Sequence, residues 1–119
     1  MWVNVLVNKE KINRVLGNII TNACKFSHDG SVINVTTSSR DGNAVIEIKD
    51  HGIGIPLKLQ PYIFEPLTSA KRYGTSGEQS FGLGLSICRQ IITANNGRIS
   101  MESVEGKGST FFIELPMVL

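Results

Sequence analysis

Long hydrophobic runs and a marked excess of one charge are both missing from this chain. No apolar run in the 119 residues approaches the roughly 18 that a membrane-spanning helix requires. The net charge is only +2 and the basic residues are scattered, which disfavours nucleic acid as a partner. No charged start followed by an apolar stretch suggests a secretory signal. We therefore expect a cytoplasmic domain.

Cysteine is equally scarce. Cys24 and Cys88 form no CxxC pair and have no nearby histidine ligands. A disulfide or a metal site is therefore not expected, and both are interpreted as small buried residues in a reducing compartment. The two histidines, His28 and His51, stand in loop-like segments without a visible partner for acid–base chemistry.

The chain does contain two helical periods. Residues 9–26 follow Asn8, a residue suited to an N-cap, and residues 83–96 precede Gly97, which suits a helix end. Apolar side chains recur in both segments at the spacing of one helix face. The positions expected to face the core are Ile12, Val15, Leu16, Ile19, Ile20 and Ala23 in the first helix and Leu85, Cys88, Ile91 and Ile92 in the second.

Five runs favour strands: residues 2–7, 32–37, 44–49, 98–104 and 109–115. With a short third helix over residues 57–64, this order predicts an α+β fold. We expect a two-layer α/β sandwich, in which a mixed, mostly antiparallel sheet of about five strands carries about three helices on one face. The length indicates one domain, residues 1–119.

Residues 66–80 contain many Ser, Thr and Gly residues and few large apolar ones. A loop of this length in a compact domain is more often functional than not. We expect a mobile loop here.

Asn18, Asn22 and Lys25 fall on one side of the first helix, nearly opposite its apolar face. Geometry alone cannot separate a ligand face from a solvated face. Asparagine is a poor helix former, and a merely solvated face would more often carry Glu, Lys or Gln. Both interpretations stay open at this point.

Two glycine pairs raise a similar choice. Asp50, Gly52 and Gly54 directly follow a strand, so the carboxylate could accept from an exocyclic amine while the glycines let the backbone approach a planar ring. The alternative is a tight turn. Gly82 and Gly84 are expected to open the second helix, where free N–H groups favour phosphate; the alternative is a glycine-rich helix entry.

The order of these motifs along the chain is more specific than any one of them. It resembles the catalytic domain of sensor histidine kinases, within the wider group of gyrase-type, chaperone and mismatch-repair ATPases. The similarity runs from about Val3 to Pro116. Residues 18–26 resemble the family's N box, 50–54 its first glycine box, 63–66 its F box, and 82–85 its second glycine box.

The resemblance implies ATP and Mg²⁺ as cofactors. Asn22 would coordinate Mg²⁺ bridging the phosphates, Asn18 would support the same region, and Lys25 would offset phosphate charge. Residues 66–81 would form a lid, from which Lys71 or Arg72 would reach the γ-phosphate. The second glycine box would bind phosphate and act as the lid hinge, through Gly82, Leu83, Gly84 and Leu85.

At the other end of the ligand, the resemblance implies that Phe26 would lie against the adenine. Asp50 would accept a hydrogen bond from the adenine amino group. The rest of that pocket would be shaped by Gly52, Gly54, Ile55 and Thr110. Thr110 belongs to the run 106–110, which taken alone is a hairpin turn.

The implied activity is transfer of the γ-phosphate to a histidine on a separate dimerisation domain of the parent kinase, with a response regulator as indirect partner. The isolated domain would be a monomer, and the parent either soluble or membrane-anchored. The ATPases of the group place a glutamate where this chain has Asn18, which cannot act as a base. The alternatives are a serine kinase or an ATPase of the same fold, or a non-catalytic nucleotide-binding module. Phe81, before the second glycine box, is bulkier than the small or hydroxyl residue of many relatives.

Overall fold

The computed structural model describes residues 4–5, 7–65 and 76–118, with side chains for 5, 7–65 and 84–118. Residues 66–75, which include Lys71 and Arg72, lie outside the described residues. The predictions of a lid and of its two basic side chains therefore stay predictions.

The first helix, α1, spans Lys9–Lys25. It begins where the Asn8 side-chain oxygen accepts a hydrogen bond from the Lys11 amide at 3.1 Å, which satisfies one of the free N–H groups of the first turn. The predicted N-cap is thus confirmed. The helix buries one stripe, made of Ile12, Val15, Ile19 and Ala23.

Gly17 lies on the exposed side of α1, and a Cβ added there would meet no atom within 4 Å. Gly17→Ala is expected to raise the free energy of unfolding by about 0.5–1 kcal/mol, because glycine loses more backbone entropy in a helix than alanine does. Urea unfolding followed by circular dichroism measures the change. Gly30→Ala is the control: its site is equally open but has φ +82, so it should lose stability.

The sheet contains β1 (Asn4–Val5), β2 (Asn34–Arg40), β3 (Asn43–Lys49), β4 (Arg98–Val104) and β5 (Gly108–Val118). Its four main strands lie in the order β2-β3-β5-β4, and β1 pairs with the end of β5 on the side away from β3. Every pairing among the described strands is antiparallel. The expectation of a mixed sheet was wrong. Strands β2 and β3 form a hairpin, as do β4 and β5, and both β1 and β3 run in the opposite direction to β5.

The turn between β2 and β3 is shorter than the gap between the two predicted strands, which end at residue 37 and begin at residue 44. Only Asp41 and Gly42 lie outside the ladder, with φ of 53° and 83°. Positive φ at both central residues matches the right-handed twist of the two strands. The two-residue turn fixes a seven-residue register from Asn34↔Lys49 to Arg40↔Asn43.

The second helix, α2, spans Ser76–Ala94. Its predicted start at residue 83 was too late, because isolated glycines cost a helix only about 1 kcal/mol each and do not end it. Gly82 and Gly84 therefore lie inside the helix and do not open it. Its end, Ala94, lies two residues before the predicted one. Asn96 has φ 62°, and the Gly97 amide donates to the Ile92 carbonyl at 2.9 Å.

Both helices pack on the same face of the sheet, and the third predicted helix is reduced to a 3₁₀ turn, Gln60–Tyr62. One core joins helices, sheet and the segment between β3 and this turn. Within the described part of the chain, no helix is long and apolar enough to cross a membrane. The fully buried side chains of the core are Val15, Ile19, Ile48, Ile55, Leu85, Cys88, Ile92, Ile113 and Leu115.

Candidate functional site

Asp50 directly follows β3 and is buried, with 6% of its surface exposed. Its Oδ1 accepts hydrogen bonds from the Gly52 amide at 2.9 Å and from the Ser109 amide at 3.2 Å. Among the described residues, these are the hydrogen bonds of the carboxylate, so Oδ2 is left for another donor. Two backbone donors on one oxygen hold the carboxylate in a single orientation.

A narrow crevice lies beside this carboxylate, between α1 and the loop after β3. Its volume open to the centre of a water molecule is about 10 Å³, close to the space that one water needs. The walls of the crevice would therefore have to move apart for a planar ring to enter. The crevice is lined by Asn22, Ala23, Phe26, Asp50, Gly54, Ile55, Ser109 and Phe111.

Glycines hold the loop of residues 50–56 against its neighbours on both sides. A Cβ at Gly52 would overlap the carbonyl of Phe26, at the end of α1, and one at Gly54 would overlap the carbonyl of Val104. Gly54 has φ +69, a conformation that costs other residues about 1–2 kcal/mol. The loop could not sit this close to α1 and to the β4–β5 turn with side chains at these positions.

Backbone hydrogen bonds add to this packing. The Ile53 amide donates to the Phe26 carbonyl at 3.1 Å, and the Gly106 amide donates to the Ile53 carbonyl at 2.7 Å. The Asp50 amide donates to the Ser109 carbonyl at 2.9 Å. One loop thus connects the end of α1 to the β4–β5 hairpin, and the crevice lies where the three meet.

The asparagine stripe of α1 lies at this junction, so the helix face contacts more than solvent. Asn22 lines the crevice. Asn18 is half-buried against α2: its Nδ2 lies 3.8 Å from the Cys88 sulfur, and a Cβ at Gly84 would lie 3.7 Å from its side chain. The N box and the second glycine box are therefore in contact through Asn18 and Gly84.

The Cys88 thiol is enclosed between the two helices. Burial raises its pKa above the ordinary value, and the hydrogen bond from Asn18 offsets only part of this effect. The thiol therefore stays protonated, and it lies 3.9 Å from the Val15 carbonyl, to which it donates. A protonated thiol here packs α1 on α2, so the burial predicted for Cys88 is confirmed. The same prediction was wrong for Cys24, which is exposed because it lies outside the buried stripe of α1.

Phe26 lines the crevice at the end of α1, and Lys25 lies beside its ring. The Lys25 ammonium lies 5.8 Å from the centroid of the Phe26 ring, within the range of a cation–π contact. The ring is half-buried and the lysine exposed. The crevice thus ends at an aromatic ring, that of Phe26, which has the Lys25 cation beside it.

Two predicted residues lie elsewhere. Thr110 points to the opposite face of β5, where it lines a second hollow with Lys49 and Glu102. This hollow adjoins the crevice, since Asp50 and Ser109 line both. The place beside Asp50 that was predicted for Thr110 is taken by Ser109. The side chain of Leu85 is 0% exposed in the core, so it can support a ligand only indirectly.

Sequence reasoning missed Ala23, Ser109 and Phe111 as lining residues. The signal for Ser109 was present in the alternation of β5, since Phe111 and Ile113 share its face. Phe112 is also apolar, however, and this masks the alternation.

Gly82 and Leu83, which were predicted to bind phosphate, belong to the described backbone of α2.

An antiparallel sheet with two helices on one face, and a crevice between the first helix and a glycine-rich loop, define the ATPase-type class of α+β domains. Residues 7–119 match the family model described as "Histidine kinase-, DNA gyrase B-, and HSP90-like ATPase". The chain belongs to this family. Within it, the chain corresponds to the catalytic domain of sensor histidine kinases.

Three relatives support this placement. The adaptive-response sensory kinase SasA of Prochlorococcus marinus is 40% identical over 96% of this chain and 30% of its own length. The mycobacterial sensor histidine kinase MprB shares the fold with a TM-score of 0.78 and 29% identity, over 95% of this chain and 74% of the other. Full-length ShkA, solved with AMPPNP, gives a TM-score of 0.80 at 26% identity, over 98% of this chain and 24% of the other. The chain spans less than a third of the length of the curated relatives that it matches.

Proposed function

We propose that this domain binds Mg-ATP in the crevice beside Asp50 and supplies the γ-phosphate for a histidine on a separate dimerisation domain. The observation that carries the proposal is the state of the Asp50 carboxylate. Its Oδ1 is occupied by two backbone amides, so Oδ2 is the acceptor that remains. An exocyclic amine such as that of adenine supplies the matching donor.

The phosphate end fits the asparagine stripe. Asn22 lines the crevice one turn beyond Asn18, and its amide oxygen is a ligand type that Mg²⁺ accepts. In the described part of the chain, no three His, Cys, Asp or Glu residues form a metal cluster. This suits Mg²⁺, which is usually held by one or two protein oxygens together with phosphates and water. The metal would neutralise phosphate charge, while Lys25 adds a second positive charge.

Transfer to a partner is favoured over hydrolysis because none of the described residues of the site is left to act as a base for water. Asn18 cannot accept a proton, and Asp50 is the only ionisable residue among those that line the crevice in the described chain. Its Oδ1 is already taken by backbone amides. The domain therefore binds and orients ATP but does not activate a water molecule. The nucleophile comes from the dimerisation domain. A response regulator would then receive the phosphate.

The test uses the pure domain and γ-labelled ATP. We expect tight Mg-ADP binding in calorimetry, slow release of phosphate by the domain alone, and labelling of an added dimerisation domain from the parent kinase. The bond formed should be acid-labile and base-stable, as for phosphohistidine. Asn22→Ala should lower the affinity for Mg-ATP at least about tenfold, since contacts to charged groups are worth roughly 1.5–3 kcal/mol.

Asn13→Ala provides the matched control, because Asn13 is exposed on the same helix. Fast hydrolysis that is lost in Asn18→Ala would contradict the proposal and favour an ATPase. Acid-stable label would indicate a serine kinase. Nucleotide binding without any transfer would indicate a regulatory module.

A further inference from the structure

The hydroxyl of Ser103, on β4, is the centre of a small polar network behind the crevice. Its Oγ accepts a hydrogen bond from the Ile55 amide at 2.8 Å and lies 3.1 Å from the Gly108 carbonyl and 2.9 Å from the Ser109 hydroxyl. A hydroxyl has one proton to donate. When Ser103 donates to Gly108, Ser109 must donate to Ser103, and all three contacts are satisfied at once.

Gln60 completes this network from the 3₁₀ turn. Its Nε2 donates to the Ile55 carbonyl at 2.9 Å and to the Ser103 carbonyl at 3.2 Å. Both backbone groups of Ile55 are thus held by side chains, the amide by Ser103 and the carbonyl by Gln60. We call these two residues the Ser103–Gln60 clamp.

The clamped residue forms part of the crevice wall. Ile55 is 1% exposed and lines the crevice together with Ser109. It follows Gly54, and a glycine by itself can adopt positive or negative φ with similar ease. A buried amide or carbonyl without a partner costs about 1–3 kcal/mol, so the clamp selects the one loop conformation that satisfies both groups.

We propose that Ser103 and Gln60 are positioning residues for the base-binding wall of the site. Neither side chain lines the crevice; they act through Ile55 and through Ser109, whose amide also holds Asp50. The inference rests on the proposed function, since it concerns the end of the site where adenine would bind.

The test combines amide hydrogen exchange with nucleotide titration. In Ser103→Ala, the Ile55 amide loses its acceptor and should exchange at least about fivefold faster, while Mg-ADP affinity should fall about fivefold to tenfold, the equivalent of one net hydrogen bond. The Ile53 amide, which is bonded to Phe26, is the internal reference and should keep its exchange rate. Gln60→Glu, which places an acceptor opposite two carbonyls, should lower ADP affinity at least as much.

Ser100→Ala is the matched control, because Ser100 is exposed on the same strand with its side chain on the opposite face. Ser103→Thr keeps the hydroxyl and should restore part of the affinity. A purely structural role would lower the stability of the nucleotide-free domain without a selective change at Ile55. Unchanged Ile55 exchange in Ser103→Ala, or faster exchange with unchanged ADP affinity, would overturn the inference. Absence of ADP binding to the unaltered domain would instead overturn the proposed function.

Discussion

Asp50→Asn is expected to weaken Mg-ADP binding by about tenfold to 150-fold, the equivalent of roughly 1.5–3 kcal/mol. The asparagine can keep its oxygen where Oδ1 accepts from the Gly52 and Ser109 amides. The change is therefore confined to the outer atom, where an NH₂ donor replaces the acceptor Oδ2. Under the proposed function, a donor there would face the amino group of adenine, so binding is weakened while the turn is retained.

Calorimetric titration with Mg-ADP measures this effect, and urea unfolding checks that the fold is kept. Asp41→Asn is the matched control, because Asp41 is an exposed carboxylate in the β2–β3 turn at φ 53°, a conformation that asparagine tolerates well. It should leave ADP affinity unchanged. Equal affinities for the Asp50→Asn variant and the unaltered domain would remove Asp50 from the site.

Gly54→Ala is expected to lower the free energy of unfolding by about 2–5 kcal/mol, a large part of the roughly 5–15 kcal/mol typical of a domain. Two costs combine. The backbone at φ +69 is unfavourable for alanine, and the new Cβ would overlap the Val104 carbonyl and come within 2.9 Å of the Glu105 Cα. These are backbone atoms of the β4–β5 hairpin, so they cannot move aside as a flexible side chain would.

Gly42→Ala separates the two costs. Gly42 has φ +83, but a Cβ there meets no atom within 4 Å, so this variant should lose only about 1–2 kcal/mol from the conformational cost. Urea unfolding of both variants gives the difference. An equal loss in the two would mean that the contact with Val104 does not constrain the loop.

Local signals allowed much of this structure to be predicted. The apolar period and the Asn8 cap located α1, and runs rich in residues that favour strands located the sheet, because these signals depend on neighbours in sequence. The strand directions did not follow, since pairing joins residues far apart in the chain. The start of α2 was missed because serine and glycine between residues 76 and 82 favour a loop locally, whereas the helix continues through them.

The site shows the same division. Asp50 and Phe26 were predicted to lie at one end of a bound ligand and Asn22 at the other, and the structure places all three around one crevice. Ser109 and the Ser103–Gln60 clamp were not predicted, because their role depends on how the β4–β5 hairpin lies against the loop after β3. Serine in a strand and glutamine in a short turn are ordinary residues in isolation. Only the tertiary arrangement gives them a common partner in Ile55.

The loop of residues 50–56 also has a consequence for how such a sequence can diverge. Its shape depends on positions where a side chain is absent, at Gly52 and Gly54, and Gly108 is packed in the same way against the Asp50 carbonyl. Ile53, between Gly52 and Gly54, and His51, between Asp50 and Gly52, are exposed. Descendants of this chain should therefore keep the three glycines and exchange the intervening side chains freely, so that the pocket is inherited as a spacing of glycines around one carboxylate.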